Sequence, residues 1–124
     1  MKIRVIVAGA SGRMGQEVVK MLTKTEDLEL VGATSRTHAG KDVGEVVGIG
    51  PLGVSFVSST LEAISKTRAD VLVDFTTPEV VKENMELAME AGVRPVVGTS
   101  GLSESDIQSL REMSEQTGVG AIIA

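Results

Sequence analysis

The chain has 124 residues, 42% of them hydrophobic, which is enough to build the core of one compact domain. Its net charge of -5, with 12 basic and 17 acidic residues and only two aromatic ones, argues against a nucleic-acid-binding surface. The lack of cysteine excludes disulfides, thiolate catalysis and cysteine-bound zinc, and no apolar run reaches membrane-spanning length. We therefore expect a soluble, cytoplasmic domain with no nucleic acid and no membrane as partners.

The amino-terminal segment has the pattern of a strand, a glycine-rich turn and a helix. Ile3 to Ala8 is an apolar run of strand length, and Gly9 to Gly12 breaks it. In the helix that follows, four apolar residues repeat at helical spacing and are predicted to pack on a sheet: Met14, Val18, Met21 and Leu22.

The rest of the chain continues the alternation. The predicted strands are 28–34, 54–57, 69–75, 94–98 and 119–124, and the predicted helices are 60–66, 78–91 and 103–116. The segment Ala39 to Gly53 holds too many glycines for a regular element and is predicted to be a loop. This order predicts an α/β fold: a Rossmann-like, doubly wound, mainly parallel sheet with helices on both faces.

The helix starts carry recognisable capping signals. Thr60 is a candidate cap of its helix, and Thr77-Pro78-Glu79 combines a hydroxyl, a proline and an acid at a helix start. Ser103 and Asp106 have the spacing of a capping box. The apolar stripe of the helix after Pro78 is predicted to be Val81, Met85, Ala88 and Met89, with Gly92 following its end and Gly118 ending the last helix.

Three glycines at spacing three follow the first strand. Gly9 would allow a tight turn, Gly12 would let a pyrophosphate approach the backbone, and Gly15 would allow the helix to pack closely. The spacing is a variant of the dinucleotide-binding fingerprint, and its place between strand and helix supports nucleotide binding. The alternative is a turn with structural glycines only. A phosphate-binding loop of the ATPase type is excluded because Gln16 and Glu17 follow the last glycine.

The residues at the end of the second strand indicate whether NADH or NADPH is bound, because they would contact the adenosine ribose or its 2′-phosphate. An acid there would accept hydrogen bonds from ribose hydroxyls, but the residues are Thr34-Ser35-Arg36-Thr37. Arg36 beside hydroxyls suits a 2′-phosphate, and Arg13 lies on the same side of the site. The sequence therefore favours NADPH over NADH. Alternatively, Arg36 only solvates the start of a glycine-rich loop.

Three stretches carry a resemblance to a known family. Val7 to Gly15, Asp74 to Glu79 and Val96 to Leu102 together resemble the N-terminal half of 4-hydroxy-tetrahydrodipicolinate reductase, also called dihydrodipicolinate reductase. The resemblance covers essentially the whole chain. It implies hydride transfer from NADPH or NADH to a cyclic imine-type dicarboxylate, on the diaminopimelate route to lysine, by an enzyme that is a homotetramer at full length.

The resemblance also implies contacts with the dinucleotide. The glycine loop would hold the pyrophosphate, Ser35 and Arg36 would meet the adenosine ribose or its phosphate, and Phe75 and Thr76 would lie beside the nicotinamide ribose. The family's Gly-Thr-Thr stretch on the nicotinamide side is Gly98-Thr99-Ser100 here, a change that keeps the hydroxyl. The complete set of predicted cofactor residues is Gly9, Ala10, Ser11, Gly12, Arg13, Met14, Gly15, Ser35, Arg36, Phe75, Thr76, Gly98, Thr99, Ser100 and Ala124.

No catalytic residue and no metal site is predicted in this chain. The resemblance implies that residues 1–124 are the dinucleotide-binding domain and that the substrate domain, with the catalytic groups, is absent, so that the chain binds cofactor without turnover. His38 is interpreted as a surface residue, or else as a neighbour of the cofactor near Arg36. Two other functions stay open: the cofactor domain of another NAD(P)-dependent two-domain dehydrogenase, and a free-standing dinucleotide-sensing module.

Overall fold

In the computed structural model, which describes residues 2–98 and 102–123, strands and helices alternate along the chain. The strands are β1 (Ile3–Ala8), β2 (Leu28–Thr34), β3 (Phe56–Val57), β4 (Val71–Asp74), β5 (Arg94–Val97) and β6 (Ile122–Ile123). The helices are α1 (Arg13–Lys24), α2 (Val43–Val47), α3 (Thr60–Lys66), α4 (Pro78–Glu90) and α5 (Glu104–Thr117). Over this part of the chain, no helix is both long and apolar enough to cross a membrane.

The strands form one parallel sheet in the order β3-β2-β1-β4-β5-β6. The chain leaves β1 toward β2 on one side and later returns to β4 on the other side, so the order reverses between β1 and β4. The register aligns the carboxyl ends of the central strands in one row: Ala8 pairs with Thr34 and with Asp74, and Asp74 pairs with Val97. The predicted Rossmann-like fold is confirmed, and ligands of such sheets bind where the strand order reverses.

Both faces of the sheet are covered by helices. Val5 and Val7 of β1 belong to a cluster with residues of α1 and α2, whereas Ile6 and Ala8 belong to a cluster with residues of α3 and α4. Because successive side chains of a strand point to opposite faces, a strand covered on both sides needs a continuous apolar run. That requirement explains the continuous apolar run from Val5 to Ala8, whereas Arg4 lies near the less buried start of the strand.

The face that α1 presents to the sheet differs from the prediction. Its buried residues are Gly15, Val19 and Leu22, while Met14 and Met21 are 60% and 48% exposed. The prediction that both methionines pack on the sheet is wrong. Glycine carries no apolar side chain, so an apolar pattern does not register Gly15. A Cβ there would collide with the Gly9 carbonyl oxygen and lie 2.7 Å from the Ala10 Cα.

The glycine-rich segment after β2 is not entirely a loop, because α2 lies within it. The Asp42 carboxylate accepts hydrogen bonds from the N–H groups of Leu52 (3.0 Å), Gly53 (2.9 Å) and Glu45 (3.2 Å). These N–H groups, that of Leu52 above all, lower the pKa of Asp42. One carboxylate thus caps α2 and holds the following turn, an arrangement that outweighs the poor helix propensity of the segment.

The starts of α4 and α5 follow the sequence signals, although the Thr77 hydroxyl makes no capping hydrogen bond. β3 and β6 are shorter than the predicted strands 54–57 and 119–124. The predicted stripe of α4 is fully buried, and the capping box of Ser103 and Asp106 forms at the start of α5. The hydrogen bonds that the Asp106 carboxylate accepts from Ser103 lower the pKa of Asp106. At α3 the cap is Ser59 and not Thr60, because the Ser59 hydroxyl accepts the Glu62 N–H at 3.1 Å.

Replacement of Gly15 tests the close contact between α1 and the glycine loop. We expect Gly15→Ala to lower the free energy of unfolding by about 1–3 kcal/mol, since the new methyl group overlaps backbone that has no room to move. Gly120→Ala is the control, because nothing lies within 4 Å of a Cβ there, and its change should stay within about 0.5 kcal/mol. Urea denaturation measures both. Equal stability of the two variants would contradict the contact.

Candidate cofactor site

A cleft of ≈ 660 Å³ opens at the carboxyl edge of the sheet. It lies above the ends of β1, β2 and β4, where the strand order reverses. Seven of the predicted cofactor residues line it: Gly9, Ser11, Gly12, Ser35, Arg36, Phe75 and Thr76. The structure therefore brings together residues from three separate parts of the chain.

The glycine loop is held in place by the end of β2. The N–H of Gly9 donates to the Thr34 hydroxyl at 3.1 Å, and the N–H of Ala10 donates to the Thr34 carbonyl at 3.1 Å. Gly9 has a φ of +75°, in the left-handed region that favours glycine. The Gln16 side-chain amide donates to the Ser11 carbonyl at 2.7 Å. These bonds hold the glycine loop against the end of β2.

The amino terminus of α1 points its unpaired N–H groups at this cleft. Its N-cap is Gly12, which has no side chain, and the first turn holds no acidic residue. By contrast, α2, α3 and α5 are capped by the side chains of Asp42, Ser59 and Ser103, and α4 has Glu79 in its first turn. Unpaired N–H groups and the positive end of the helix dipole together make an anion-binding position.

A Cβ at Gly12 would touch only the Gly9 carbonyl oxygen, at an ordinary 3.5 Å. The protein fold therefore leaves space for a side chain at Gly12, unlike at Gly15. Among the predicted loop residues, Ala10 is fully buried, whereas Arg13 and Met14 are exposed in the first turn of α1. Ala10 is thus enclosed by the protein, and its N–H is already bonded to the Thr34 carbonyl.

A cluster of hydroxyl groups with one imidazole lies at the end of β2. The Ser35 hydroxyl is 2.9 Å from the Ser11 hydroxyl of the glycine loop, and it accepts the His38 N–H at 3.3 Å. His38 Nδ1 lies 2.9 Å from the Thr37 hydroxyl and 3.3 Å from that of Ser35. The imidazole also packs against the Phe56 ring, with 5.9 Å between centroids. The half-buried His38 ring therefore contacts both polar and aromatic neighbours, and its interpretation as a surface residue or as a neighbour of the cofactor stays a prediction.

The turn after β4 is organised by a buried acid. Asp74 is 0% exposed, and its Oδ1 accepts hydrogen bonds from the backbone N–H and the hydroxyl of Thr76. Its Oδ2 accepts from the Asn84 side-chain amide at 2.9 Å. Asn84 is 8% exposed on the inner face of α4, and it lines the cleft. Sequence reasoning missed it, although a polar residue between Val81 and Met85 on an apolar face was an available signal.

Phe75 joins the ends of three strands. A Cβ at Gly98, just after β5, would lie 2.9 Å from the Phe75 Cδ1, so the ring packs directly on the Gly98 backbone. A Cβ at Gly9 would lie 3.1 Å from the Phe75 carbonyl carbon and 3.3 Å from the Thr76 Cγ2. Three predicted cofactor residues, Thr99, Ser100 and Ala124, lie outside the described residues.

The charges around the cleft are few. Arg36 is exposed and lines it, and Glu83 of α4 lines the opposite wall. At the start of α4, the Thr77 hydroxyl donates to Glu79 and lowers the pKa of that carboxyl group. Within residues 2–98 and 102–123, no group of three His, Cys, Asp or Glu side chains is arranged to hold a metal ion.

A second cleft, of ≈ 390 Å³, lies at the opposite edge of the sheet. It is lined by residues from the starts of β1 and β2, the end of α1 and the loop before β3, among them Lys2, Thr25 and Leu52. Parallel sheets of this type bind ligands at the carboxyl ends of their strands. The amino-edge cleft is thus the weaker candidate.

Comparison with known proteins identifies the family. The family model described as "Dihydrodipicolinate reductase, N-terminus" matches residues 3–124. The chain belongs to this family. It is 48% identical over 125 residues to a 4-hydroxy-tetrahydrodipicolinate reductase from Desulfitobacterium hafniense and 46% identical over 122 residues to one from Bacillus licheniformis. The resemblance predicted from the sequence is confirmed.

A solved structure is similar over the whole chain. The dipicolinate-bound dihydrodipicolinate reductase from Paenisporosarcina sp. TG-14 superposes with a TM-score of 0.85 at 32% identity, covering 100% of this chain and 47% of that one. The two curated reductases are covered over 46% and 45% of their lengths by 99% and 98% of this chain. The chain thus spans about half the length of these relatives, which are named as reductases.

Exchange of Asp74 and Asn84 tests the buried pair. Asp74→Asn and Asn84→Asp should each lower the free energy of unfolding by about 1–3 kcal/mol. Asp74→Asn brings a second amide donor into the pair, and Asn84→Asp places two carboxylate acceptors opposite each other. The double exchange restores a donor opposite an acceptor. We expect its loss to be smaller than the sum of the single losses by about 1 kcal/mol or more in a double-mutant cycle measured with urea. Simple additivity would contradict the coupling.

Proposed function

We propose that residues 1–124 form the dinucleotide-binding domain of a 4-hydroxy-tetrahydrodipicolinate reductase and bind NADPH or NADH across the carboxyl-edge cleft. The observation that carries this proposal is the start of α1: an uncapped helix terminus, without an acid in its first turn, at the point where the strand order reverses. Family membership and the volume of the cleft support it.

The pyrophosphate would lie on the glycine loop and the first turn of α1. The N–H groups there have no partner within the helix, and Gly12 leaves the space that an anion needs to approach the backbone. Gly9, Ala10, Ser11, Arg13, Met14 and Gly15 complete this part of the proposed site. Arg13 adds a positive charge beside it.

The adenosine end would lie against Ser35 and Arg36. No acid stands at the end of β2 to accept hydrogen bonds from ribose hydroxyls, whereas an arginine and three neighbouring hydroxyl groups are available to donate to a 2′-phosphate. This composition favours NADPH over NADH.

The nicotinamide end would lie toward β4 and β5. Phe75 and Thr76 line the cleft, and Gly98 packs under the Phe75 ring. Thr99, Ser100 and Ala124 belong to this end of the proposed site through the family resemblance alone. The Asp74 and Asn84 side chains would keep this turn rigid without touching the reacting atoms.

A bound NADPH or NADH supplies the hydride in this type of reaction, and the protein supplies position and charge. The proposed substrate is 4-hydroxy-tetrahydrodipicolinate, a small dicarboxylate that is reduced to tetrahydrodipicolinate in lysine and diaminopimelate biosynthesis. The catalytic groups and the contacts with the substrate carboxylates would lie outside residues 1–124, in the substrate domain of the full-length enzyme. That enzyme would be a cytoplasmic homotetramer. The chain by itself would therefore bind cofactor without turnover.

Calorimetric titration with NADPH and NADH tests the cofactor site. We expect Gly12→Val to abolish binding of both dinucleotides, because its side chain would occupy the space proposed for the pyrophosphate. Arg36→Ala should weaken NADPH binding about tenfold to a hundredfold and change NADH binding little, as loss of one charge-assisted hydrogen bond predicts.

Two variants outside the cleft serve as matched controls. Gly120→Val and Arg111→Ala make the same changes at positions away from the lining residues, and both should bind like the unaltered chain. Unimpaired binding by folded Gly12→Val would contradict the pyrophosphate position, and equal losses for the two dinucleotides in Arg36→Ala would contradict the phosphate contact. No binding by the unaltered chain would overturn the proposed function.

A further inference from the structure

The cluster at the end of β2 contains a titratable group that the proposed contacts with the dinucleotide do not use. His38 is the only histidine of the chain, and its Nδ1 lies within hydrogen-bond distance of the Thr37 and Ser35 hydroxyls. Both hydroxyl-bearing residues line the cleft next to Arg36. Histidine is the side chain that ordinarily changes its charge between about pH 5 and 8.

The protonation of Nδ1 decides which way the Thr37 hydroxyl points its proton. In the neutral tautomer that carries its proton on Nε2, Nδ1 accepts the Thr37 hydroxyl proton across the 2.9 Å contact, which leaves only oxygen lone pairs facing the cleft. The imidazolium carries a proton on both ring nitrogens, so its Nδ1 donates to the same oxygen. The Thr37 hydroxyl is then free to donate to a group in the cleft.

The Ser35 hydroxyl has other partners. It accepts the His38 backbone N–H and lies 2.9 Å from the Ser11 hydroxyl of the glycine loop. Nδ1 has a single lone pair or a single proton, and its shorter contact is the one with Thr37. Protonation of the neutral ring therefore changes the Thr37 hydroxyl from an acceptor into a donor toward the cleft and adds one positive charge.

This change distinguishes a phosphate from a ribose hydroxyl. A phosphate dianion only accepts hydrogen bonds, so it is favoured by donors and by positive charge. A ribose hydroxyl both donates and accepts, so it tolerates either state of the cluster. We propose that His38 is a specificity-determining residue whose imidazolium form selects a 2′-phosphorylated dinucleotide over its unphosphorylated counterpart; this rests on the proposed function.

Three other charged residues lie on the same loop as His38: Arg36, Lys41 and Asp42. The Asp42 carboxylate is bonded to the N–H groups of Glu45, Leu52 and Gly53. β3 contributes the apolar Phe56 ring. The glycine loop contributes the neutral Ser11 hydroxyl through Ser35. Within residues 2–98 and 102–123, the groups that contact the His38 ring are the Ser35 and Thr37 hydroxyls and the Phe56 ring, and none of them is a carboxylate. A bound 2′-phosphate would supply the missing negative charge.

The test compares two affinities across a pH range. The ratio of the dissociation constants for NADH and NADPH is measured by calorimetry from about pH 5.5 to 8.5, with the unaltered chain and with His38→Gln. A phosphate monoester itself takes up a proton near about pH 6, which weakens NADPH binding in both proteins alike. Dividing one protein's ratio by the other's removes that contribution.

We divide the NADH-to-NADPH ratio of dissociation constants of the unaltered chain by the same ratio for His38→Gln. We expect this quotient to be about ten times larger at the lower pH than at the higher one, the usual effect of one charge-assisted interaction. A quotient that does not change with pH would overturn the role of His38, while binding of both dinucleotides would leave the proposed function intact. Failure of the unaltered chain to bind either dinucleotide would overturn both.

A second measurement keeps the inference testable if His38→Gln does not fold. As the only histidine, His38 gives imidazole resonances that NMR can follow in the unaltered chain without assignment of other residues. Because linkage is reciprocal, saturating NADPH should displace the pH dependence of these resonances upward, and NADH should displace it much less. Equal displacements in the two complexes would contradict the proposal. Thr37→Val should reduce the NADPH-induced shift, since it removes the hydroxyl that Nδ1 contacts.

Discussion

The close contact between α1 and the glycine loop is the constraint on which the site depends. With no Cβ at Gly15, the first turn of α1 lies against the backbone of Gly9 and Ala10. That contact brings the helix terminus to the end of β1 and aims its unpaired N–H groups into the crevice. A helix displaced outward by a side chain would direct the same groups at solvent. The exposure of Met14 and Met21 follows from this orientation, because the face that carries Gly15 is the one turned to the sheet.

Polar groups at the strand ends keep the loops around this contact in register. Thr34 at the end of β2 holds the glycine loop through two hydrogen bonds, and Asp74 at the end of β4 holds the next turn together with Asn84. Ala8 pairs with both Thr34 and Asp74, so the two residues that hold these loops lie at the same level along the strands, at the carboxyl edge of the sheet. A buried, satisfied polar network of this kind fixes loop conformation, and preorganised donors bind an anion without the cost of ordering them.

Much of the fold was predictable from local pattern. The bounds of β1 and β2, the proline start and buried stripe of α4, and the capping box of α5 each rest on a few consecutive residues. The errors arose where contacts between distant residues decide the outcome. Asp42 turns a glycine-rich segment into α2 by bonding to Leu52 and Gly53, ten and eleven residues away. Asn84 was overlooked because its partner, Asp74, precedes it by ten residues.

The measurement that most directly tests the central claim is a map of backbone amide signals by two-dimensional NMR, recorded while NADPH is added to the 124-residue chain. The amides of Ser11 and of Arg13 to Gly15 should show the largest changes and should become protected from hydrogen exchange, because they would donate to the pyrophosphate. The Gly12 N–H already donates to the Gly9 carbonyl at 3.2 Å. Changes centred instead on Lys2, Thr25 and Leu52, which line the cleft at the amino edge, would contradict the assignment of the carboxyl edge as the cofactor site.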